Sequence, residues 1–433
     1  MLIAGSVLGS GGAQTDPAGQ RRTKHFPAII GDVLRLSLAV FLIQAGFHGF
    51  TVSIPLALSR AGRPDAEIGA IVGIAPLVQI PAALLGGVLI DRFGGFRLVA
   101  IGGLAYIAST AILLLPGVDP ATSSVQFVAA RVLQGFGFGI VMPAVLSVAP
   151  KLVTIERRGV ALATVSASHN LTLVLLPPIS ILVLDAAGLD GVSLMVAAFV
   201  VTALTLTFAR PFATRSVDEH APFKSARRFM GMAFRRSWLP PLMIILLWVI
   251  HWGVIVAYLP QRAELSGANI GLFFAADGIL VLAMRLPAGW MADRVPASWQ
   301  ILAGLAVTAI GVALVLPPPT TPLLIISGAL TGAGAAFIAV PVTLTLTRRS
   351  NEEDRGSAFA LFSVFFSSAI AIGSIGAAPL IENVGFEALL ASTMVAIGIA
   401  VVITILDRDL GTLPSKHVDP SDSESVATTA ASP

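Results

Sequence analysis

Five ionisable side chains lie inside long apolar segments of this sequence: Asp277, Arg131, His48, His169 and His251. Ionisable groups are costly inside a lipid bilayer, and there they commonly mark routes for protons or ions. Asp277 is the only acidic residue well inside any of these segments. A carboxylate in a low-dielectric setting holds its proton more readily than one in water, and it can release that proton when water or a cation reaches it. We therefore predict that Asp277 carries a proton, with His169 as a candidate neighbour.

A structural explanation competes with this chemistry. A buried Asp beside a His or an Arg can simply join two helices through a polar contact, which is worth about 0.6 kcal/mol on average in membranes. The aromatic residues Trp248, Trp252 and Tyr258 can likewise line a pocket or serve as packing and interface anchors. The elements that position these side chains therefore matter for both explanations.

The composition identifies these elements as membrane-spanning helices. The chain is 55% hydrophobic and only 12% charged, whereas a soluble domain carries about 25% charged residues. Its apolar runs have the length of roughly 20 residues that crosses a bilayer as a helix. The absence of cysteine excludes thiolate catalysis and cysteine-ligated metals. We expect no cofactor and no nucleic-acid partner, because the basic residues are explained as markers of one membrane face.

Apolar runs between charged, proline and glycine breaks predict an all-α membrane protein with twelve transmembrane helices. The only long connection, a basic linker at residues 210–237, separates a six-helix bundle at 33–209 from a second at 238–407. We expect a tail at 1–32 and a disordered tail at 408–433, which is rich in Ser, Asp, Ala and Thr. The predicted helices cover residues 33–58, 67–90, 96–116, 122–149, 158–184, 190–209, 238–260, 268–292, 298–317, 321–346, 357–381 and 386–406.

The basic residues predict the orientation of these helices. If both termini share one side of the membrane, 22 of the 27 Lys and Arg residues fall on that side and three on the other. The remaining two, Arg131 and Arg285, lie within helices. Because Lys and Arg accumulate in cytoplasmic segments, we expect a multi-pass protein of the cytoplasmic membrane with both termini in the cytoplasm.

In this topology the polar residues inside the helices share one depth. At 1.5 Å per residue, Asp277 lies about 13 Å from the outer end of its helix, and His169 lies about 17 Å from the inner end of its own. Because this layer draws on both bundles, we predict a central cavity lined from both. The other members of the layer are Gln44, His48, Arg131, Gln134, Asn170 and His251, with Trp252 as an aromatic neighbour.

A short polar motif occurs once in each half. Gly87-x-x-x-Asp91-Arg92 ends predicted helix two, and Gly289-x-x-x-Asp293-Arg294 ends predicted helix eight. The glycine lets a neighbouring helix approach closely. The aspartate can accept hydrogen bonds from the free N–H groups at the start of another helix. Asp-Arg at a helix end suits any membrane protein, but the duplication favours a specific contact. We assign Arg285, two turns before Asp293 on the same face, to this motif.

These features resemble the major facilitator superfamily over residues 30–407. The first copy of the motif, which continues as Gly94-Gly95-x-Arg97, is similar to the family's loop motif between helices two and three. Arg131-x-x-Gln134-Gly135-x-Gly137-x-Gly139 is similar to the family's motif in helix four. Glu156-Arg157-Arg158-Gly159 before helix five is echoed by Asp354-Arg355-Gly356 before helix eleven. Four elements at corresponding positions in both halves make the resemblance specific.

The resemblance implies two pseudo-symmetric six-helix bundles that rock about a central site. Helices one, four, seven and ten would line the cavity, while five and eight would pack across the boundary between the halves. Asp91 would contact the start of helix eleven near Gly356, and Asp293 would contact the start of helix five near Gly159. These contacts would latch the cytoplasmic side shut and break when that side opens.

Predicted helix five departs from the pattern of the family's exporters. Many of them carry Gly-Pro and a later Gly-Gly there, whereas this chain keeps Pro177-Pro178 and lacks the glycines. This departure removes a main sequence argument for proton-driven antiport.

We interpret the chain as a secondary active transporter in the lipid bilayer, closest in pattern to proton-coupled drug and metabolite exporters. It would act as a monomer and export a small organic compound. Arg131 would sense the charge of Asp277 or hold an anionic substrate, which keeps proton-coupled uptake of a small metabolite open as the alternative. A receptor or a membrane-embedded enzyme is the second alternative. Enzymatic activity is not expected, because the ionisable groups lie singly on different helices and no phosphate-binding loop is found.

Overall fold

The computed structural model of the chain describes residues 19–154, 157–212, 235–351 and 354–411, without the side chains of residues 19–30, Asp91, Arg355 and Gly356. All regular secondary structure in these residues is helical. The helices are α1 (Gly19–His48), α2 (Ser53–Arg60), α3 (Asp65–Phe93), α4 (Gly95–Leu113), α5 (Ser124–Val148), α6 (Arg158–Phe208), α7 (Leu239–Leu265), α8 (Ile270–Ala292), α9 (Ala297–Ala313), α10 (Thr321–Arg348), α11 (Arg355–Ala371) and α12 (Ala378–Leu406). Short 3-10 helices follow at Ala149–Leu152 and Arg408–Gly411, and a π-helix at Ile372–Gly376.

The described residues contain ten helices long and apolar enough to cross a membrane, together with the shorter apolar helix α9. This number differs from the expected twelve because the range of α6 contains both predicted helices, 158–184 and 190–209, which meet at a kink. Gly188 lies between them with φ 67° and ψ −170°, a conformation that glycine adopts without a steric cost. The chain therefore reverses direction at Gly188 while the helical hydrogen bonding continues on both sides.

Two further predicted helices are interrupted. The span predicted at 33–58 consists of α1 and α2, which are separated by a turn after His48. The span predicted at 357–381 passes from α11 through the π-helix into the first residues of α12. The chain then bends at Gly385, where φ is 86°.

The ends of the two halves differ in part from the expected tails and linker. α1 already begins at Gly19, since extending an existing helix costs much less than starting one. Residues 408–411 form a 3-10 helix because Arg349 binds both Asp407, at 2.8 and 2.9 Å, and Asp409, at 3.7 Å. Residues 1–18, most of the linker (213–234) and residues 412–433 lie outside the described residues.

Both halves use the same close helix packing, which accounts for the duplicated sequence. A Cβ atom on Gly135 of α5 would meet the backbone of Ala75 in α3, and one on Gly332 of α10 would meet the backbone of Asp277 in α8. Only glycine permits such an approach of two helix backbones. Ala75 and Asp277 are therefore equivalent positions of two similar halves.

We call the side of the bundle where α1 begins and α12 ends the terminal side, and the opposite side the far side. One apolar core runs through the first half and continues into far-side residues of the second half, such as Ile255 and Leu259 in α7. The terminal-side residues of the second half, such as Ile245 and Leu346, form a separate cluster. The two halves are thus joined mainly on the far side.

Candidate functional site

Three glycines on one face of α8 show how the two halves separate. Gly271, Gly278 and Gly289 are spaced by 7 and 11 residues, which is close to whole turns of a helix. A Cβ atom on Gly278 would lie 2.8 Å from the Cα atom of Val174 in α6, and one on Gly271 would lie 3.4 Å from that of Pro178. A Cβ atom on Gly289 would meet nothing within 4 Å. The helices α6 and α8 therefore contact each other on the far side and diverge toward the terminal side.

The surface of α6 that faces α8 likewise changes from buried to exposed toward the terminal side. Asn170 and Val174 are buried, while Ala167, Ala163 and Val160 on the continuation of this face are exposed, Val160 by 66%. A cleft therefore opens from the level of Asn170 toward the terminal side. It lies between the two halves.

Charged residues join the halves on the far side. The guanidinium of Arg60 at the end of α2 forms an ion pair across the halves with Glu264 of α7 at 2.6 Å, and a second one within the first half with Asp185 of α6 at 2.8 Å. Nearby, the hydroxyl of Tyr258 donates to the carbonyl oxygen of Ser374 over 2.6 Å, and Gly69 of α3 packs against that tyrosine. These contacts close the far side in the structure.

Several predicted residues of the first half form one polar cluster. Nε2 of Gln44 lies 3.1 Å from Nδ1 of His169, and the hydroxyl of Tyr106 donates to Oε1 of Gln44 over 3.4 Å. The rings of His48 and His169 lie 5.3 Å apart between centroids, and both contact the edge or face of Phe138. The structure therefore brings Gln44, His48 and His169 together as the common depth suggested.

Arg131 and Gln134 form a second group in the same half. Arg131 donates to the carbonyl oxygen of Val72 over 2.7 Å and to Oε1 of Gln134 over 2.8 Å, and its guanidinium lies 5.6 Å from the ring centroid of Phe47. Gln134 donates to Ser109 over 2.9 Å. Arg131 is buried, and within the described residues no ion pair links it to Asp277. Its contacts hold α5 to α3.

Asp277 lies in the second half, away from these groups. Its side chain is only 8% exposed, and its Oδ1 accepts a hydrogen bond from the hydroxyl of Thr331 in α10 over 3.0 Å. No hydrogen bond or ion pair joins Asp277 to His169 in the part of the chain that the structure describes. The expected depth is the same, but the two residues point into different halves.

The remaining predicted residues have local partners. The ring of His251 is bonded through Nδ1 to the carbonyl oxygen of Trp248, one turn earlier in α7. The ring of Trp252 lies 5.8 Å from that of Phe274 in α8. The amide of Asn170 donates to the carbonyl oxygen of Ser166 over 2.8 Å. These contacts do not bring the three residues into the cluster around His169.

The duplicated motif lies at the terminal ends of α3 and α8. Asp293 forms a long ion pair of 3.9 Å with Arg348 in its own half, and a Cβ atom on Gly159 would meet nothing within 4 Å. Among the residues that the structure describes, the expected contact of Asp293 with the start of α6 near Gly159 is not found. The side chain of Asp91 lies outside the described set.

The other members of the motif have contacts close to their own positions. The guanidinium of Arg294 lies 4.1 Å from the ring centroid of Trp290, and that of Arg92 lies 5.2 Å from the ring centroid of Phe93. Gly87 is partly buried. Arg285, assigned to the motif from its spacing, is about 12 Å deeper than Asp293 along α8. There it is on the face of α8 that is turned toward α6.

Sequence reasoning did not identify the ion pairs of Arg60 or the role of Thr331. Arg60, Asp185 and Glu264 are charged residues at the far ends of three predicted helices, and opposite charges at such ends are a usable signal. Thr331 precedes Gly332 as Gln134 precedes Gly135. Aligning the two halves on these glycines would have placed Thr331 in the polar layer.

The fold and the cleft define a multi-pass helical membrane protein of two similar halves, joined on one side and separated on the other. Residues 36–269 and 261–429 match the sequence profile of the Major Facilitator Superfamily. The chain belongs to this superfamily, as its motifs indicated.

Two proteins similar in sequence to this chain are uncharacterized MFS-type transporters. Over 208 residues the chain is 30% identical to YhhS of Escherichia coli K12, an uncharacterized MFS-type transporter, and the match covers 48% of this chain and 49% of YhhS. The chain thus matches about half the length of that relative. Over 400 residues it is 25% identical to the uncharacterized MFS-type transporter STM4428 of Salmonella typhimurium LT2, covering 89% of this chain and 98% of the relative.

Solved transporter structures share the fold. A D-xylose–proton symporter superposes with a TM-score of 0.70 at 18% identity, covering 90% of this chain and 99% of the symporter. A mutant of the nucleoside transporter NupG superposes with a TM-score of 0.68 at 12% identity, covering 88% of this chain and 100% of the NupG chain. At these identities the likeness concerns the fold alone.

Proposed function

We propose that this protein is a secondary active transporter that couples to protons and exports a small organic compound across the cytoplasmic membrane. It works as a monomer with both termini in the cytoplasm. The contact between Gly278 and Val174, together with the open space at Gly289 on the same face of α8, supports alternating access. A rocking motion of the halves would close the terminal side at Gly289 and open the far side at Arg60.

Asp277 is the proton carrier in this proposal. Among the described residues it is the only buried carboxylate in the middle of a spanning helix, which is the single observation that carries the proposed proton coupling. Buried acids of this kind serve as proton relays in transporters. Its bond to Thr331 joins α8 to α10, so that a change in its protonation can alter packing within the second half.

Proton-coupled uptake is the second candidate. It is favoured by Arg285 in the cleft, a cation with no ion pair among the described residues, which suits a substrate taken up as an anion. One protein with a similar fold is a D-xylose–proton symporter. Export and uptake respond oppositely to the same proton gradient, so one experiment separates them.

The test uses the full chain in proteoliposomes loaded with a small-molecule extract of bacterial cells. Efflux into a more acidic external buffer is measured by mass spectrometry against protein-free liposomes. An exporter that exchanges its substrate for protons releases its substrate faster under this gradient. Efflux that becomes slower under this gradient indicates proton-coupled uptake instead, and movement of no compound above the protein-free level contradicts transport.

Asp277→Asn tests the coupling residue in the same assay. We expect the dependence of flux on the pH gradient to disappear, because the amide cannot carry a proton. Asp190→Asn, which changes an exposed aspartate of α6, serves as the matched control and should keep the dependence. Unchanged gradient dependence in Asp277→Asn would show that another group carries the proton.

A further inference from the structure

Arg285 is a cation inside the cleft. It lies seven residues after Gly278, so it is on the same face of α8, turned toward α6 two turns closer to the terminal side. Its residue is exposed. It has no hydrogen bond or ion pair with any group that the structure describes. A guanidinium in this position is available to an anion that enters the cleft.

The hydrogen bonds of Gln44 fix which nitrogen of His169 carries the proton. Because the Tyr106 hydroxyl donates to Oε1 of Gln44, the amide Nε2 faces Nδ1 of His169 and donates to it. Nδ1 is then an acceptor, and the neutral ring carries its hydrogen on Nε2. Within the described residues that Nε2 has no partner. His169 therefore offers one N–H donor on α6, the helix toward which Arg285 is turned.

The neighbouring ring of His48 indicates that this region is incomplete without a ligand. His48 is only 4% exposed, and neither of its ring nitrogens has a hydrogen-bond partner among the described residues. Buried polar groups are nearly always satisfied, so an unpartnered imidazole suggests a bound molecule or water. Its ring lies against Phe47 and Phe138, with centroid distances of 5.2 and 5.8 Å.

We propose that Arg285 and His169 bind the carboxylate of an organic anion, whose apolar body lies toward Phe138 and Phe47. The guanidinium supplies the charge and up to two parallel N–H donors, and Nε2 of His169 supplies a third. This inference rests on the proposed transport function, since it names the substrate class of the same cleft. Asp277 stays outside the binding site, so substrate and proton are held by different groups.

The experiment compares three probes of one shape on the purified full-length protein: benzoate, benzamide and benzylamine. Binding raises the temperature of unfolding because the ligand stabilises the folded state. We expect benzoate alone to raise it. We expect Arg285→Gln to weaken benzoate binding by about tenfold or more, because the amide cannot replace the lost charge-assisted hydrogen bonds. Arg285→Lys should restore part of the affinity.

The control variant is Arg236→Gln, which removes an exposed arginine outside the cleft that has no described side-chain partner. It should bind benzoate as the wild type does. Stabilisation by benzylamine or benzamide instead of benzoate, no stabilisation by any probe, or unchanged benzoate binding in Arg285→Gln overturns the proposal. If Arg285→Gln does not fold, the comparison of the three probes on the wild type decides alone.

The same probes separate this inference from the proposed function. Benzoate binding that requires Arg285, in a protein that moves no compound in proteoliposomes, would support the anion site and contradict transport. Proton-driven flux of other compounds, without benzoate binding, would support transport and contradict the anion site.

Discussion

The hydroxyl of Thr331 donates a hydrogen bond to Oδ1 of Asp277 over 3.0 Å and so joins α10 to α8 inside the second half. The corresponding residue of the first half, Gln134, instead bonds to Arg131 and Ser109, because Ala75 stands where the second half has Asp277. The duplicated packing is therefore conserved between the halves, while the polar partners inside it differ.

Thr331→Val should lower the stability of the protein. The substitution keeps the shape of the side chain but removes the donor to Asp277, and interhelical hydrogen bonds in membranes contribute about 0.6 kcal/mol on average and up to about 1.7. The unfolding temperature of the purified protein measures the effect. Thr331→Ser should restore stability. Thr205→Val is the control, because exposed Thr205 bonds only within α6; an equal loss in both variants would contradict a specific role of the pair.

Gly332→Ala should be destabilising, whereas Gly398→Ala should not. A Cβ atom at position 332 would lie 2.8 Å from the backbone carbonyl carbon of Asp277, so one helix would have to move. Overpacking of this kind costs about 1–3 kcal/mol. At Gly398 nothing lies within 4 Å, and alanine favours the helix. Thermal unfolding of both variants checks the prediction, and similar unfolding temperatures would disprove the close packing.

Gly289→Val should leave stability unchanged and abolish transport. No atom lies near position 289 in this structure, so the new side chain has room. If the terminal side closes by bringing α6 against this face, the valine blocks that closure. A steric cost of about 1.4 kcal/mol or more in the closed state would lower its population at least about tenfold. Flux in proteoliposomes and thermal unfolding are measured together; normal flux would remove Gly289 from the proposed latch.

Arg60→Gln should favour opening of the far side. It removes the one exposed ion pair of Arg60 that joins the halves, with Glu264, worth up to about 1 kcal/mol, or at most about a fivefold shift of the equilibrium. The chain contains no cysteine, so Ser374→Cys introduces a single reporter at a buried far-side contact. Its reaction with a membrane-impermeant maleimide should become faster, by up to about fivefold, in the Arg60→Gln background.

Arg63→Gln is the matched control for this measurement. Arg63 lies on the same side, but its partners Glu67, Ser124 and the carbonyl of Pro120 all belong to the first half. It should therefore leave the labelling rate unchanged. Equal acceleration by both substitutions would mean that the charge on the far side, and not the bridge between halves, controls opening.

The helices and their duplication were predictable because hydrophobic length and glycine positions are local properties. The break predicted between residues 184 and 190 is found at the non-helical Gly188, whereas the turn between α1 and α2 within residues 33–58 was not predicted. Backbone geometry at these points depends on neighbouring helices. An example is Val196 of α6, which packs against Gly49.

For the polar layer, the sequence predicted only how deep its residues lie in the membrane. The rise of a helix places Gln44, His48 and His169 at similar levels, and the structure brings them together. The same rise placed Asp277 near that level, but its direction around α8 turns it toward Thr331. Depth follows from counting residues, whereas direction depends on how each helix is rotated against its neighbours.

The sequence by itself determined the class of protein, the two similar halves and the superfamily, because these depend on composition, segment length and motifs. Only the tertiary structure decided which side of the halves is closed, since that depends on contacts between residues far apart, such as Arg60 with Glu264. The structure also turned Arg285 toward α6, the helix that carries His169. The cleft forms because α6 and α8 contact each other at Gly278 and separate toward Gly289. The angle between these two helices cannot be predicted from any local pattern of residues.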